Sequence, residues 1–218
     1  MKKLPILLIL SGLFVLTACP HKAPTIINLE PLEEKYRESV PYQDGDTFVL
    51  QHETNKTLIE FKVWRYLQVD NVYEGETYYR MQYDPHIYYE NYQQDITECR
   101  TDYPLFNFKL QMDNEYGIAE AYDSTAVNSH AKILSIIAGN NFYTWLPFKG
   151  VTFGDYVMLD SMQVNGRTYY DVFELKNQSY GYEYEGANDG VQVLYYNYEN
   201  GIVGVEMSNG EKFMRYEE

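Results

Sequence analysis

Residues 158–175 read MLDSMQVNGRTYYDVFEL and place the dipeptide Asn165-Gly166 between two runs with strand character. The run before the turn covers residues 154–162, and the run after it covers residues 168–175. Asn-Gly is the strongest short turn signal between antiparallel strands, because the tight turn needs a positive φ at both positions. The stretch therefore predicts a β-hairpin.

A second hairpin is predicted earlier in the chain. Residues 47–53 and 57–64 flank the polar link Thr54-Asn55-Lys56. The later of these two strands alternates between two faces: Ile59, Phe61 and Val63 on one, and Leu58, Glu60, Lys62 and Trp64 on the other. A period of two residues predicts a half-buried strand.

Turn signals and short alternating runs recur along the rest of the chain. A further hairpin is predicted from residues 66–73 and 77–83, around the polar link Glu74-Gly75-Glu76. More strands are predicted at residues 87–92, 105–112, 116–122, 191–198, 202–207 and 211–216. Residues 124–139 are expected to form a loop and then a strand, with a short helix as the alternative, and residues 32–39 could form one or two helical turns. Roughly a dozen closely spaced strands indicate an all-β fold, an antiparallel meander that forms a barrel, half-barrel or sandwich.

The chain begins with a basic segment, Met1-Lys2-Lys3, followed by an apolar run over residues 4–16. This order is typical of a secretory signal, and the run is shorter than the ~20 residues that a membrane-spanning helix needs. It ends at Leu16-Thr17-Ala18-Cys19, which resembles the lipobox of bacterial lipoproteins. That resemblance implies cleavage before Cys19 and a diacylglycerol on its sulfur. The alternative is an ordinary signal peptide with an incidental cysteine, or an uncleaved anchor.

These features divide the chain into a signal peptide at residues 1–18, a lipidated tether and linker at residues 19–44, and a single β-rich domain at residues 45–218. The resemblance implies a lipid-anchored protein of the cell envelope, with a membrane as its first partner. No acidic run follows Cys19, which favours a domain facing the periplasm. We expect the anchor to lie in the outer membrane rather than the inner one.

The composition is acidic and rich in tyrosine. The signal segment holds two of the 17 Lys and Arg residues and no Asp or Glu, so its removal changes the formal charge from −15 to −17. Such a charge excludes nucleic acid as an electrostatic partner. The 24 Tyr residues suit a pleated, half-buried surface and need no ligand to explain them.

The C-terminal third resembles small, uncharacterised β-rich lipoproteins of gut-dwelling Gram-negative bacteria. The stretches that carry the resemblance are Phe153-Gly154-Asp155-Tyr156, residues 164–173, Tyr195-Tyr196-Asn197, residues 201–205 and residues 209–213, in which many relatives have Trp at the position of Phe213. These motifs are structural rather than catalytic. The resemblance therefore implies a β-rich domain and adds no mechanism.

No residue pattern indicates catalysis, a cofactor or a metal. Cys99 has no cysteine partner if Cys19 carries lipid, and we expect it to be buried. The four histidines, His21, His52, His86 and His130, are not at a metal-ligand spacing. No nucleophile elbow, Walker loop or dinucleotide-binding turn occurs in the sequence. The sequence therefore predicts a protein that is not an enzyme.

Two groups of tyrosines are candidate contact sites for a ligand or a partner: Tyr78 with Tyr79, and the row Tyr180, Tyr182 and Tyr184. Such rows could stack on a glycan or contact an envelope protein, although a cross-strand ladder that only stabilises the sheet is the simpler interpretation. We therefore predict a non-enzymatic binding or structural module. The alternatives are a glycan-acting hydrolase or accessory protein, which needs two converging carboxylates, and a half-barrel carrier, which needs an apolar cavity.

Overall fold

The computed structural model describes residues 25–74, 77–79, 82–84, 87–102, 106–114, 133–139, 142–151, 156–176 and 190–217. For residues 25, 27, 72–74, 77–79, 82–84 and 87–89 only the backbone is described. The lipobox and the predicted strand at residues 116–122 lie outside the described residues.

The elements follow one another along the chain as a short N-terminal strand, one helical turn and then further strands. They are β1 (Thr25–Asn28), α1 (Glu34–Arg37), β2 (Thr47–His52), β3 (Leu58–Glu74), β4 (Thr77–Tyr79), β5 (Gln82–Asp84), β6 (Ile87–Arg100), β7 (Phe108–Asp113), β8 (Ile133–Ala138), β9 (Phe142–Pro147), β10 (Met158–Val164), β11 (Arg167–Lys176), β12 (Val191–Asn197), β13 (Gly201–Met207) and β14 (Lys212–Tyr216).

The main sheet has the strand order β10-β11-β12-β13-β14-β2-β3-β6-β7-β8-β9. Every neighbouring pair along this path is antiparallel, and the sheet curls into a half-barrel. The C-terminal strand β14 pairs with β2, which joins the two halves of the chain. The short strand β1 pairs in parallel with β6, and β4 and β5 form a separate two-stranded ribbon. The all-β prediction is confirmed, and the half-barrel is the form that the meander takes.

The Asn-Gly hairpin forms as predicted between β10 and β11. Asn165 and Gly166 have φ values of 47° and 86°, as the tight turn requires. A second positive φ, 52° at Asp171, lies within β11, and the register with β10 is the same on both sides of it. Phe173 pairs with both β10 and β12, whereas residues 174–176 pair with β12.

The free end of this hairpin packs against β14. The Asn165 side chain donates a hydrogen bond to the carbonyl of Arg215, with a nitrogen–oxygen distance of 2.8 Å. A small core forms with this contact, separate from the main core, and consists of Val164, Tyr169, Val172, Tyr195, Val203 and Met214. The hairpin thus buries apolar side chains on a second surface of the sheet.

The main core lies inside the curl. Ile59, Phe61 and Val63 are fully buried there, while Trp64 and the other residues of the alternate row are exposed, as the sequence pattern predicts. Burying an apolar side chain of this size contributes about 1.5–3 kcal/mol. Phe61 packs against Phe48 on one side, at a ring distance of 4.8 Å, and against Phe108 at 5.2 Å. Aromatic packing therefore fills the middle of the curl.

One predicted strand pairing is wrong. Residues 66–73 do not form a separate strand paired with residues 77–83. They continue β3, which is 17 residues long, and β3 pairs with β6 up to the register Glu74–Tyr88. The polar residues after β3 were interpreted as the turn of that hairpin, but they lead into the β4–β5 ribbon instead. Strand β6 also extends beyond the predicted residues 87–92, to Arg100.

The segment before residue 45 packs into the domain, although the sequence suggests a linker there. Leu32, Tyr36, Val40 and Tyr42 belong to the main core. The backbone N–H of Ile202 donates to the hydroxyl of Tyr42 at 2.7 Å. A Cβ on Gly201, whose φ is 76°, would lie only 2.4 Å from the Tyr42 ring. Residues 29–42 therefore form an integral part of the packed structure.

Candidate functional site

The structure describes only some of the tyrosines that the sequence indicates as candidate contact residues. Tyr180, Tyr182 and Tyr184, like Cys19, lie outside the described residues. Tyr78 and Tyr79 lie on β4, where the backbone alone is described, and Tyr78 is directly opposite Tyr83 on β5. Direct cross-strand pairs of aromatic residues stabilise a sheet by roughly 0.2–1 kcal/mol each. The backbone register at Tyr78 is therefore compatible with the ladder interpretation.

A different aromatic surface is fully described, on the outer side of β3. Trp64 projects away from the core and keeps 37% of its surface exposed. The Nζ atom of Lys62 lies 5.5 Å from the centre of its ring, and the guanidinium carbon of Arg100 lies 5.4 Å from it. Both distances are within the range of cation–π attraction, about 6 Å. An exposed indole with two cations beside it is therefore held on a rigid strand.

The β3–β6 register explains this arrangement. Lys62 is directly opposite Arg100, and Trp64 is directly opposite Glu98. Two like charges directly opposite each other normally destabilise a strand pair. Here the indole ring attracts both cations, and Glu98 also forms an ion pair with Arg100. The local arrangement thus keeps two positive charges together on a protein with a strongly negative net charge.

Tyr66 extends the same surface toward the far end of β3. Its hydroxyl donates a hydrogen bond to Glu98 with an oxygen–oxygen distance of 3.2 Å. Desolvation, and then the negative charge of Glu98, raises the pKa of Tyr66. The phenol therefore stays protonated at neutral pH and remains a donor. We call Lys62, Trp64, Tyr66, Glu98 and Arg100 the Trp64 face.

An open groove of about 770 Å³ lies at this face. It is lined by an aromatic ring, charged groups and hydrogen-bonding side chains, namely Leu58, Ile59, Glu60, Lys62, Trp64, Arg100, Thr101, Asp102 and Asn107. A flat indole can stack on the apolar face of a sugar ring, while carboxylate, amide and guanidinium groups can hydrogen-bond hydroxyls. The groove is therefore suited to hold a polar ring-shaped ligand. In the described part of the chain, no three His, Cys, Asp or Glu residues are grouped so that they could hold a metal ion.

The sequence pattern predicts the outward row that contains Lys62 and Trp64, but it does not by itself indicate a binding site there. The alternation of residues 57–64 does place Trp64 in the polar, outward row, which is unusual for the largest aromatic side chain. This outward position of Trp64 is the sequence signal from which the surface could have been predicted. The partnership with Arg100 could not be found this way, because it depends on the register between two strands that are distant in sequence.

The inner side of the curl is packed with aromatic rings in the part that is described. Rings pack from Tyr42 to Phe48 at 5.3 Å and from Phe61 to Phe106 at 5.8 Å, and Phe106 reaches Phe213 at 5.4 Å. Aromatic side chains of the protein thus pack against one another across the described part of the inner side. Cys99 is also buried here, and burial raises its pKa to about 12. Its thiol is therefore not prepared to act as a nucleophile at neutral pH.

Comparison with protein families, with characterised proteins and with solved structures finds no match to this chain. Among the residues that the structure describes, no helix is both long enough and apolar enough to cross a bilayer. The function of the protein therefore has to be inferred from its own residues.

Proposed function

We propose that this protein is a lipid-anchored, non-enzymatic module of the bacterial cell envelope that binds glycans through the Trp64 face. The observation that carries the binding proposal is the exposed indole of Trp64, which has Lys62 and Arg100 within cation–π distance and lies beside an open groove. The lipobox at Leu16-Thr17-Ala18-Cys19 supports the anchor. The absence of an acidic run after Cys19 supports a domain that faces the periplasm, and we propose the outer membrane as the place of the anchor.

The anchor is tested by changing its single attachment atom. Mass spectrometry of the mature protein should find a diacylglyceryl group on Cys19, with the chain cut before that residue. Cys19→Ala should move the protein from the membrane fraction to the soluble fraction, because two or three acyl chains are what hold such a protein firmly. A membrane-bound Cys19→Ala variant, or an unmodified sulfur, would contradict the proposal.

Binding is tested with a panel of neutral and uronic-acid-containing oligosaccharides, by calorimetric titration. Trp64→Ala should weaken the binding of any oligosaccharide that the unmodified protein holds by about 30-fold or more, since a tryptophan at the centre of a contact contributes ~2 kcal/mol or more. Tyr170→Ala is the matched control, because Tyr170 is an exposed aromatic residue on β11 that takes no part in the Trp64 face.

Three outcomes of this titration bear on the proposal. A loss confined to Trp64→Ala supports it, whereas equal binding by both variants, or binding of no member of the panel, contradicts it. Release of new reducing ends would favour the hydrolase alternative, for which Glu60 and Asp102 are the first carboxylates to exchange, since both line the groove.

A further inference from the structure

The β3–β6 pair continues past the main core as an arm. From Tyr66 onward β3 exposes side chains on both faces, with Leu67 44% and Val69 51% exposed, whereas β6 opposite them keeps buried side chains as far as Tyr92, the partner of Asp70. Tyr66 and Leu67 point to opposite faces, because neighbouring residues of a strand alternate. The ladder nevertheless continues up to the pair Glu74–Tyr88. A regular, hydrogen-bonded arm thus extends away from the half-barrel.

The first described strand of the chain, β1, is attached to the far half of this arm. Strand β1 runs parallel to β6, with Thr25 beside Ile87 and Ile26 beside Tyr88. Ile26 keeps 59% of its surface exposed. The chain therefore enters the structure at the distal end of the arm, next to the residues that lead into the β4–β5 ribbon, and not at the half-barrel.

The distance from the lipid to this point is short. Cys19 and Thr25 are six residues apart in the sequence, and a fully extended chain spans at most about 3.5 Å per residue. The end of the arm can therefore lie no farther than about 20 Å from the lipidated sulfur. The opposite end of β3, at Leu58, is about 50 Å away along the strand, from a rise of ~3.3 Å per residue. The anchor thus holds the arm close to the bilayer and leaves the other end of β3 free to stand away from it.

The composition of the arm fits a bilayer surface. Tyrosines recur in the described strands at its end, namely Tyr73, Tyr78, Tyr79, Tyr83, Tyr88 and Tyr89. Tyrosine is enriched at the membrane–water interface, where its ring reaches the acyl chains and its hydroxyl stays hydrated. The strands β1, β4 and β5 and residues 66–74 of β3 contain no Lys or Arg. Arg80, between β4 and β5, is the only Lys or Arg in residues 66–90 of the sequence, so the contact would depend more on tyrosine than on attraction to anionic headgroups.

We propose that the end of the β3–β6 arm, with β1 and the β4–β5 ribbon, rests on the headgroup region of the membrane in which Cys19 is anchored. The proposal depends on the lipid at Cys19 proposed above. It gives Tyr78 and Tyr79 a lipid surface as their partner, and it orients the protein so that the turn at residues 53–57 is far from the bilayer. The Trp64 face, which lies between these two ends, would then be open toward the envelope space.

The orientation can be measured with one fluorophore at a time. Cys99 is buried, and Cys19 would carry lipid, so an introduced cysteine would be the accessible thiol. Tyr79→Cys and Ile26→Cys report on the end of the arm, and Thr54→Cys reports on the opposite end of β3. The lipidated protein is placed in phosphatidylcholine–phosphatidylethanolamine vesicles that contain a headgroup spin label, which quenches nearby fluorophores. We expect quenching at positions 79 and 26 to exceed that at position 54 at least five-fold.

A variant with a longer tether tests whether the short distance to the anchor keeps the arm at the membrane. Insertion of about 30 Gly and Ser residues between Ala23 and Pro24 should reduce the quenching at position 79 severalfold if tether length holds the arm down, and leave position 54 unchanged. Equal quenching at positions 79, 26 and 54 in a protein that floats with vesicles and carries the lipid would overturn the orientation and leave the anchor intact. A protein that has no lipid and does not float would overturn the anchor and the orientation together.

Discussion

Asp95→Ala should lower the free energy of unfolding by about 3–5 kcal/mol, the usual cost of removing one partner from a buried ion pair. The Asp95 side chain is 4% exposed and accepts hydrogen bonds from Arg65 at 3.0 Å and 3.2 Å. The Nε atom of Arg37 lies 3.4 Å from the same carboxylate. Without Asp95, two guanidinium groups would remain close together with no negative charge between them.

Arg65 also links this carboxylate to the N-terminal segment. Its remaining N–H groups donate to the backbone carbonyls of Val40 at 3.0 Å, Tyr42 at 2.8 Å and Arg37 at 3.2 Å. Val40 and Tyr42 are buried, so displacement of Arg65 would also loosen part of the main core. The expected loss is therefore at the upper end of the range for the single substitution.

Urea unfolding of the mature protein in a mild detergent measures this loss. Asp70→Ala is the control, since Asp70 lies on the same ladder but accepts its hydrogen bond from Gln68 at the surface, at 3.1 Å. We expect a change below about 0.5 kcal/mol there. A loss below about 1 kcal/mol for Asp95→Ala would show that the network contributes little.

The local parts of the fold could be predicted from the sequence. Alternation at residues 57–64 predicts which side chains of β3 face the core, and Asn165-Gly166 predicts the turn between β10 and β11. Both signals act between residues close in the chain, where a period of two or a required positive φ determines the structure. The confirmed strands of the C-terminal third follow from signals of the same kind.

Long-range pairing could not be predicted in the same way. The partner of residues 66–74 is β6, but an alternating strand shows only that it has two different faces and not which strand it joins. The core role of residues 29–42 was missed for a related reason. Its contacts, such as that between Ser39 and Tyr196, join residues 157 positions apart. The outward position of Trp64 was predictable, whereas the two cations meet beside it only because of the β3–β6 register.

The second large effect expected is unfolding in alkali. Tyr42 and Tyr196 are wholly buried, and burial raises the pKa of each above the usual value near 10. Tyr196 donates its hydroxyl hydrogen to the carbonyl of Ser39, and Tyr42 accepts from Ile202. Burial also raises the pKa of Tyr198, and that of Tyr156 to about 12. The folded protein thus keeps these phenols neutral at a pH where the unfolded chain ionises them.

The free energy of unfolding depends on pH because the folded and unfolded states bind different numbers of protons. Between pH 10 and the raised pKa values, the unfolded state binds fewer protons than the folded state, so stability falls as the pH rises. Each phenol that stays protonated in the folded state contributes a slope of up to about 1.4 kcal/mol per pH unit. Tyr42 and Tyr196 together give about 3 kcal/mol per unit. Because a folded domain has only about 5–15 kcal/mol in reserve, we expect cooperative unfolding between roughly pH 11 and 13.

Tyrosinate absorbance and circular dichroism, followed together against pH, test this expectation. Exposed tyrosines should ionise near pH 10 with the strand signal intact, and the buried ones should ionise only as that signal is lost. Tyr196→Phe should reduce the slope of unfolding free energy against pH by about 1.4 kcal/mol per unit. The lost hydrogen bond to Ser39 lowers stability equally at every pH, so the slope separates the two effects. Tyr170→Phe, at a site 63% exposed, is the control for the substitution itself. Full ionisation of all tyrosines near pH 10 in a folded protein would show that these phenols are not buried as described.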